Sequence, residues 1–518
     1  VISTDFFEVF LERNKLGEWV SEEWSDERIA HQLQRAELPV ELVGDLRALA
    51  EQVRSPLAVR SSSQLEDALG RPFAGVYGTK MVPNNQTDAD SRFRSLMEAV
   101  KFVYATTFFA GARSYLEATG PAGQEEKMAV IIQEVVGRRH GGRFYPDLSG
   151  VARSWNFYPA GAAKPEEGVV SLALGLGKTI VDGGRCWSFS PAHPRASPPF
   201  RSTADLLKAT QVEFWAVNMG PPPAYDPIAE TEYLLRAGLE AAEADGTLRY
   251  VASTYDPASD RITPGTGRPG PRVANFAPLL TLSDTPLVEE IRRILRVCEE
   301  ALGGPVEIEF AVSIDPEQTP AAQFGFLQLR PLVVPDDVVE LSAAELEGPE
   351  VLVASHSALG NGRLESIVDV VFVDPKTFEV AHTGEIAREL ERFNRALLAE
   401  RRPYLLIGFG RWGSSDPWLG IPVTWQQIAG ARVVVEAMLP QMNVEPSQGS
   451  HFFHNISSRG VCYFTVPVQA RGIDWDWLER QPVISRSPHL QHVRCKEPLR
   501  VEVDGRRRRG VIRYQRGE

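Results

Sequence analysis

Two alternating runs, VEIEFAVSI (306–314) and FGFLQLRPL (324–332), constrain this chain more than any other feature. Each reads as a half-buried strand, in which side chains two residues apart share a face. The alternation puts Glu307 and Glu309 on one face, and Gln328 and Arg330 on one face of the adjacent strand. Strands that could be bland instead point ionised side chains the same way. A structural ion pair accounts for this, and so does a site that receives a charged ligand.

At 518 residues the chain is long enough for two to four domains with hydrophobic cores. Its net charge of -13 argues against a general nucleic-acid or membrane binder, which favours a basic surface. A phosphate-bearing ligand must then meet a local basic pocket. No apolar run approaches a membrane span and no signal peptide is visible. Cys186, Cys298, Cys462 and Cys495 are scattered and form no CxxC pair, which speaks against a disulfide framework or a thiolate zinc site and for a reducing cytoplasm. The chain opens on VISTDFFEVFLE without an initiator methionine, as the interior of a longer polypeptide would.

Residues 1–55 read as amphipathic helices broken at AELPVELVGDL. SPLAVRSSS is predicted to be a short strand entering a serine-rich loop, and FAGVYGTKMVP a second strand. A helical stretch from 90, the strands KMAVIIQEVVG and SGVARSWNFYP, and VVSLALGLGKTIVDGG with its glycine-rich turn follow. NMGPPPAYDP and TPGTGRPGPR are loops flanking an inserted helix and hairpin. PLVEEIRRILRVCEEALGG is a helix with a glycine C-cap. RPLVVPDDVVE is a linker, which puts a domain boundary at 336. Beyond it VLVASHS, RPYLLIGFG, ARVVVEAM and VCYFTV are strands, TGEIARELERFNRALLAE is a helix, and LRVEVDGRRRRGVIRY is a hairpin turning at Asp504-Gly505.

Several tempting motifs have plainer readings. Gly408, Gly410 and Gly413 match G-x-G-x-x-G after a strand, but Pro417 and Pro422 forbid the helix a dinucleotide site needs. A ligand loop of Arg411, Trp412, Ser414 and Ser415, or a structural turn, remains. His451 and His454, and His489, His492 and Cys495, lie in stretches that look extended. There, residues three apart face opposite sides and cannot share a metal. A polar pocket role suits His451 and His454 better. Arg506 to Arg509 flank a turn and lack interleaved aromatics, so they read as a solvated turn.

LAVRSSSQLEDALGRPFAGVYGTK adds the decisive group. Arg60 leaves a strand into small residues whose backbone N–H groups suit polyphosphate oxygens, and its guanidinium is a fixed fork for two of them. A Glu, Gln and Arg on adjacent strands would close such a site from the other side, their oxygens able to hold Mg²⁺.

LAVRSSSQLEDA…FAGVYGT, MAVIIQEVVG, SGVA, GLGKTIVDGG and EIEFAVS…FLQLRPL occur in an order that resembles the ATP-binding domain of phosphoenolpyruvate synthase and pyruvate phosphate dikinase, over about residues 1–333. The resemblance implies an ATP-grasp-like nucleotide-binding domain over 1–335, and the residue pattern beyond it reads as a second α/β domain over 336–518, so an α/β (α+β) chain is expected. It implies Arg60, Gly75 and Thr79 around the triphosphate of ATP and Gln133 at the adenine hinge. Glu309 and Gln328 become Mg²⁺ ligands, and Arg330 lies on the phosphoryl group in transfer. The family's GLGE is GLGK here, with Lys178 in place of the acid, and its SGVAFTR is SGVARSW. Its Gly-Gly-Lys loop maps upstream of Val1. Its swivelling phosphohistidine domain and phosphoenolpyruvate-binding barrel are not found; His382 in HTGEIAREL copies the spacing of the former but reads as a helix start. The implied function is an ATP-dependent phosphotransferase whose acceptor is held by the C-terminal domain or a partner. A non-catalytic ATP-binding module of a larger signalling protein and an ATP-grasp ligase are the alternatives.

Overall fold

A computed structural model describes residues 1–16, 24–63, 66, 75–113, 126–159, 161–196, 202–282, 286–315, 317, 321–332, 334, 339–439, 450–458, 460–468, 472–505 and 507–515. Helices Thr4–Arg13, Asp26–Arg35 and Val40–Gln52 open the chain, as their periodicity predicts. Ser25 caps the second by accepting from the Arg28 N–H at 3.4 Å, and Pro39 starts the third. With helix Ala89–Thr106 they share a core with a three-stranded antiparallel sheet ordered Lys80–Val82, Leu57–Ser63, Met128–Glu134. Two details differ from the sequence reading. The serine run 61–63 stays in the strand, paired with 128–130, because the partner strand extends far enough to bind its backbone. The strand expected over FAGVYGTKMVP is confined, among the described residues, to Lys80–Val82. Gly75, at φ +74°, is outside the ladder.

Strands Ala322–Pro331, Val306–Ile314, Leu148–Arg153, Val169–Ala173 and Trp187–Phe189 form a five-stranded antiparallel sheet in that order. Helix Leu287–Leu302 packs on it through Leu287, Ile291, Leu295 and Cys298, and ends at Gly303 in the left-handed region, φ +72°. The expected strand SGVARSWNFYP stops at Arg153.

The C-terminal portion is a nine-stranded mixed sheet. Its middle is parallel: Gly362–Val373, Tyr404–Phe409, Ala431–Ala437 and Cys462–Val466. Helix Thr383–Ala399 crosses between the first two and helix His451–Ser458 between the last two. The segment 351–359 pairs with Arg509–Arg513 at one end and with Cys462–Val466 at the other, so the sheet curls until both edges meet one stretch of chain. Gly408, Gly410 and Gly413 lead into no helix; Arg411–Trp412 pairs with Gly420–Ile421 instead. A Cβ on Gly408 would lie 2.3 Å from the Trp412 ring, which gives that glycine a packing role.

The boundary expected at 336 lies outside the described residues. A single hydrophobic cluster nevertheless joins Phe157 and Leu332 to Phe409, Phe452, Phe453 and Tyr463, so the five-stranded sheet's surroundings and the C-terminal sheet share a core. All four cysteines are free, and no described helix is long and apolar enough to cross a membrane.

Candidate functional site

The hairpin that opened the sequence reading is the floor of a cleft. Glu309 stands opposite Gln328, and Glu307 stands opposite Arg330 on one side and Arg153 on the other. Cross-strand partners share a face, so the register gathers all five side chains. A β-bulge falls between Glu309 and Phe310, where Leu327 has no opposite number. Bulges re-aim local groups; here the Leu327 carbonyl accepts from Arg60 Nη1 at 3.4 Å.

Arg60 reaches this hairpin from the three-stranded sheet. Its Nη2 donates to Gln328 Oε1 and lies 3.6 Å from Glu309 Oε2, while Nη1 donates to Gln133 Oε1 at 3.4 Å. Arg330 Nη1 donates to Glu309 Oε1 at 2.8 Å and lies 3.7 Å from Glu307 Oε1. Arg153 donates to Glu307, fully buried. The cluster thus holds three arginines against two carboxylates, a local positive surplus in an acidic chain. Burial alone would raise both carboxyls. Arg153, His454 and Arg330 outweigh it at Glu307, and Arg330, His451 and Arg60 outweigh it at Glu309, so both lie well below the ordinary carboxylate range.

The cleft measures about 880 Å³ including its open mouth. One end is apolar, with Ala58, Met81, Val135, Val136, Leu176 and Leu234; the other carries Arg60, Thr79, Lys178, Glu309 and His451. Gln133 lines it too, with its side chain turned towards Arg60. Gly75 lies at its polar end, against His451. Lys178 is held by Asp182 at 3.1 Å and Glu230 at 3.2 Å. Burial would depress its ammonium, and those two carboxylates instead raise it.

The far wall was the largest surprise. GSHFFHNIS, read as extended, is the helix His451–Ser458, so His451 and His454 share a face. His451 Nε2 lies 3.6 Å from Glu309 Oε1 and His454 Nδ1 3.4 Å from Glu307 Oε1. The i, i+3 step of the helix matches the i, i+2 step of the strand. Each histidine thus meets its own carboxylate, and no group of three metal-ligating His, Cys, Asp or Glu exists among the described residues. Phe453, between the histidines, packs on Phe157 and Tyr158 at 5.5 and 5.9 Å, with Arg153 over its ring. The Arg411–Ser415 loop also docks here: Ser414 donates to the Gly183 carbonyl, the Ser415 N–H to that of Asp182, and Arg185 pairs with Asp416 at 3.0 Å.

The other histidines of the sequence reading lie elsewhere. His492 bonds Asp369 at 2.8 Å, beside Arg494 and Arg402; His489 faces Glu385 at 3.4 Å; His382 is the N-cap of its helix.

Behind the helix sits Glu436, 1% exposed, accepting from the Tyr463 hydroxyl. Burial pushes its carboxyl up to about 7 from an ordinary value near 4.5, against the Tyr463 bond and Arg411. The folded state therefore retains a proton that the unfolded chain releases, and stability falls as pH rises through that window, by on the order of 3 kcal/mol. Glu436→Gln is expected to remove this fall. Urea unfolding at pH 5 and pH 8 measures it, and an undiminished slope in the variant excludes Glu436 as its source.

Comparison with known proteins identifies the family. The family model described as pyruvate phosphate dikinase, AMP/ATP-binding domain, matches residues 1–347. The chain belongs to that family, with an AMP/ATP-binding domain over most of its length. Among curated proteins it is similar to the "Uncharacterized phosphotransferase YvkC" of Bacillus subtilis (strain 168), 30% identical over 183 residues. The aligned part is 35% of this chain and 20% of the relative, so the chain spans about a fifth of that protein's length.

Proposed function

We propose that this chain is an ATP-dependent phosphotransferase that binds Mg·ATP between the three-stranded and five-stranded sheets. The observation that carries the reading is convergence: Arg60, from one sheet, touches Gln328 and faces Glu309, from the other, across 249 residues of sequence (309 − 60). The adenine lies against the apolar end, bordered by Gln133 and the strand end at 134–136. The triphosphate lies at Arg60, Gly75 and Thr79. Arg330, held by Glu307 and Glu309, faces the phosphoryl group in transfer. The carboxylate and amide oxygens of Glu309 and Gln328, paired on one face, are a hard-oxygen set that fits Mg²⁺. When bound, that ion neutralises phosphate charge. The rest is positioning, since phosphoryl transfer asks little covalent chemistry of the protein. The printed name of the Bacillus relative, a phosphotransferase, points the same way.

The test is calorimetric titration with Mg·ATP, followed by product analysis with labelled ATP and candidate acceptors. Arg60→Ala is expected to weaken ATP binding at least about tenfold, as loss of a charge-assisted fork should. AMP as product points to pyrophosphoryl transfer of the dikinase type, and ADP to a simple kinase or a ligase. Tight binding without turnover would favour a non-catalytic nucleotide module, and absence of ATP binding would refute the site altogether.

A further inference from the structure

The nucleotide cleft is walled on one side by a helix from the C-terminal sheet, and the first residue of that helix is its contact point. The His451 ring is wedged between the hairpin and Gly75. A Cβ on Gly75 would lie 2.9 Å from His451 Nδ1, and the opposite nitrogen, Nε2, lies 3.6 Å from Glu309 Oε1. That spacing is too long for a hydrogen bond. Nε2 is buried and has no hydrogen-bond partner among the described residues. Buried polar groups mostly find a hydrogen-bond partner, so this nitrogen calls for one. It points a donor into the polar end of the cleft, among Arg60, Thr79 and Lys178. The position is fixed from behind: Phe453, 3% exposed, packs on Phe157 and Tyr158, and His454 anchors on Glu307.

We propose that His451 is a nucleotide-binding residue, its Nε2–H donating to the terminal phosphate of bound ATP, so that the C-terminal sheet completes the phosphate end of the cleft. The inference rests on the reading that ATP occupies this cleft and deepens it. Arg60 and Arg330 approach Glu309 from the strands. The helix brings His451 to the same carboxylate from the C-terminal sheet. An anionic oxygen already faces Nε2 in the form of Glu309, and a phosphate oxygen is an acceptor of the same kind. The C-terminal sheet is then a fixed wall of the site, because it shares a hydrophobic core with the floor.

The test compares ligands of different phosphate length. Dissociation constants for Mg²⁺ with β,γ-imido-ATP, and for AMP, are measured calorimetrically on wild type, His451→Ala and His451→Gln, with thermal unfolding of each as a check on the fold. His451→Ala is expected to weaken imido-ATP about tenfold and leave AMP within about twofold. His451→Gln, which keeps a donor, should recover part of the loss. Equal weakening of both ligands would mean a structural residue and overturn the proposal, as would no change in either. So would acid-labile label from ATP that is retained by wild type and lost in His451→Ala, since His451 would then accept the phosphoryl group rather than bind it. If wild type binds neither ligand, the ATP reading itself fails. If Arg60→Ala loses imido-ATP affinity while His451→Ala does not, only the present inference fails.

Discussion

Arg330→Ala is expected to lower ATP-dependent transfer at least about a hundredfold and to destabilise the protein at neutral pH by about 3–5 kcal/mol. Both effects follow from its place between two buried carboxylates, 2.8 Å from Glu309 and 3.7 Å from Glu307. Removing it leaves charge in the interior with fewer partners. Glu307 keeps Arg153 and His454, while Glu309 keeps Arg60 and His451, so the loss falls on the shared link between them. The pH dependence gives the sign. In the native protein both carboxyls are depressed, so they contribute stability above their unfolded values that is lost as pH falls through their folded ones. Without Arg330 that contribution shrinks, and the gap between variant and wild type should be wide at pH 7, persist down to about pH 4, and close only as pH falls further towards the depressed folded values. Arg330→Lys separates the roles: it restores charge and most of the stability, but not the fork, and should stay deficient in transfer. Urea unfolding across pH and single-turnover assays with labelled ATP measure the two quantities. A variant that unfolds and turns over like a surface substitution would remove Arg330 from the site.

The charge arrangement also explains how an acidic protein accommodates a polyphosphate. The net charge of -13 would repel such a ligand at long range. At the floor of the cleft the relevant sum is local: three arginines meet two carboxylates, while Lys178 on the wall is matched by Asp182 and Glu230. On the proposed reading a metal ion on the Glu309 face would add to that surplus, and the site would suit nucleotide and metal together.

Period-two alternation made the hairpin carboxylates legible, because Glu307, Glu309, Gln328 and Arg330 sit on half-buried strands where a charged residue stands out against apolar neighbours. The helix Leu287–Leu302 was legible from its apolar spacing and from Gly303, which the structure finds at positive φ. Arg153 was missed although the same alternation carries it: Ser149, Val151 and Arg153 share the face of Glu307 and Glu309. Its partner lies 154 positions away, and local pattern says nothing of which strands become neighbours. The helix His451–Ser458 was missed for another reason. HFFHNISS is short and rich in aromatic residues that also favour strands, and an isolated helix of that length is not stable. It exists because Phe452 packs on Trp425 and Phe453 on Phe157, contacts supplied by distant segments. That single misreading hid the histidine wall, since an extended chain would have turned His451 and His454 to opposite sides.

Phe453 is accordingly where the second large effect is expected. Its ring is 3% exposed and meets Phe157, Tyr158 and the Arg153 guanidinium, so it belongs to the core shared by the five-stranded sheet's surroundings and the C-terminal sheet. Truncation to alanine removes that apolar contact and leaves a cavity, a combination that costs about 3–5 kcal/mol in a buried aromatic. The location adds a qualitative signature. Wild type should unfold in one cooperative calorimetric transition, because a common core couples its parts, and Phe453→Ala should broaden or split it. The helix that Phe453 pins also carries His451 and His454, so ATP affinity should fall together with stability, whereas Phe453→Leu should retain most of both. A loss below about 0.5 kcal/mol, the range of ordinary surface substitutions, with an unchanged single transition would mean that the C-terminal sheet does not depend on this contact, and the wall would have to be held by its remaining contacts, those of Ser414, Ser415, Arg185 and His454 among them.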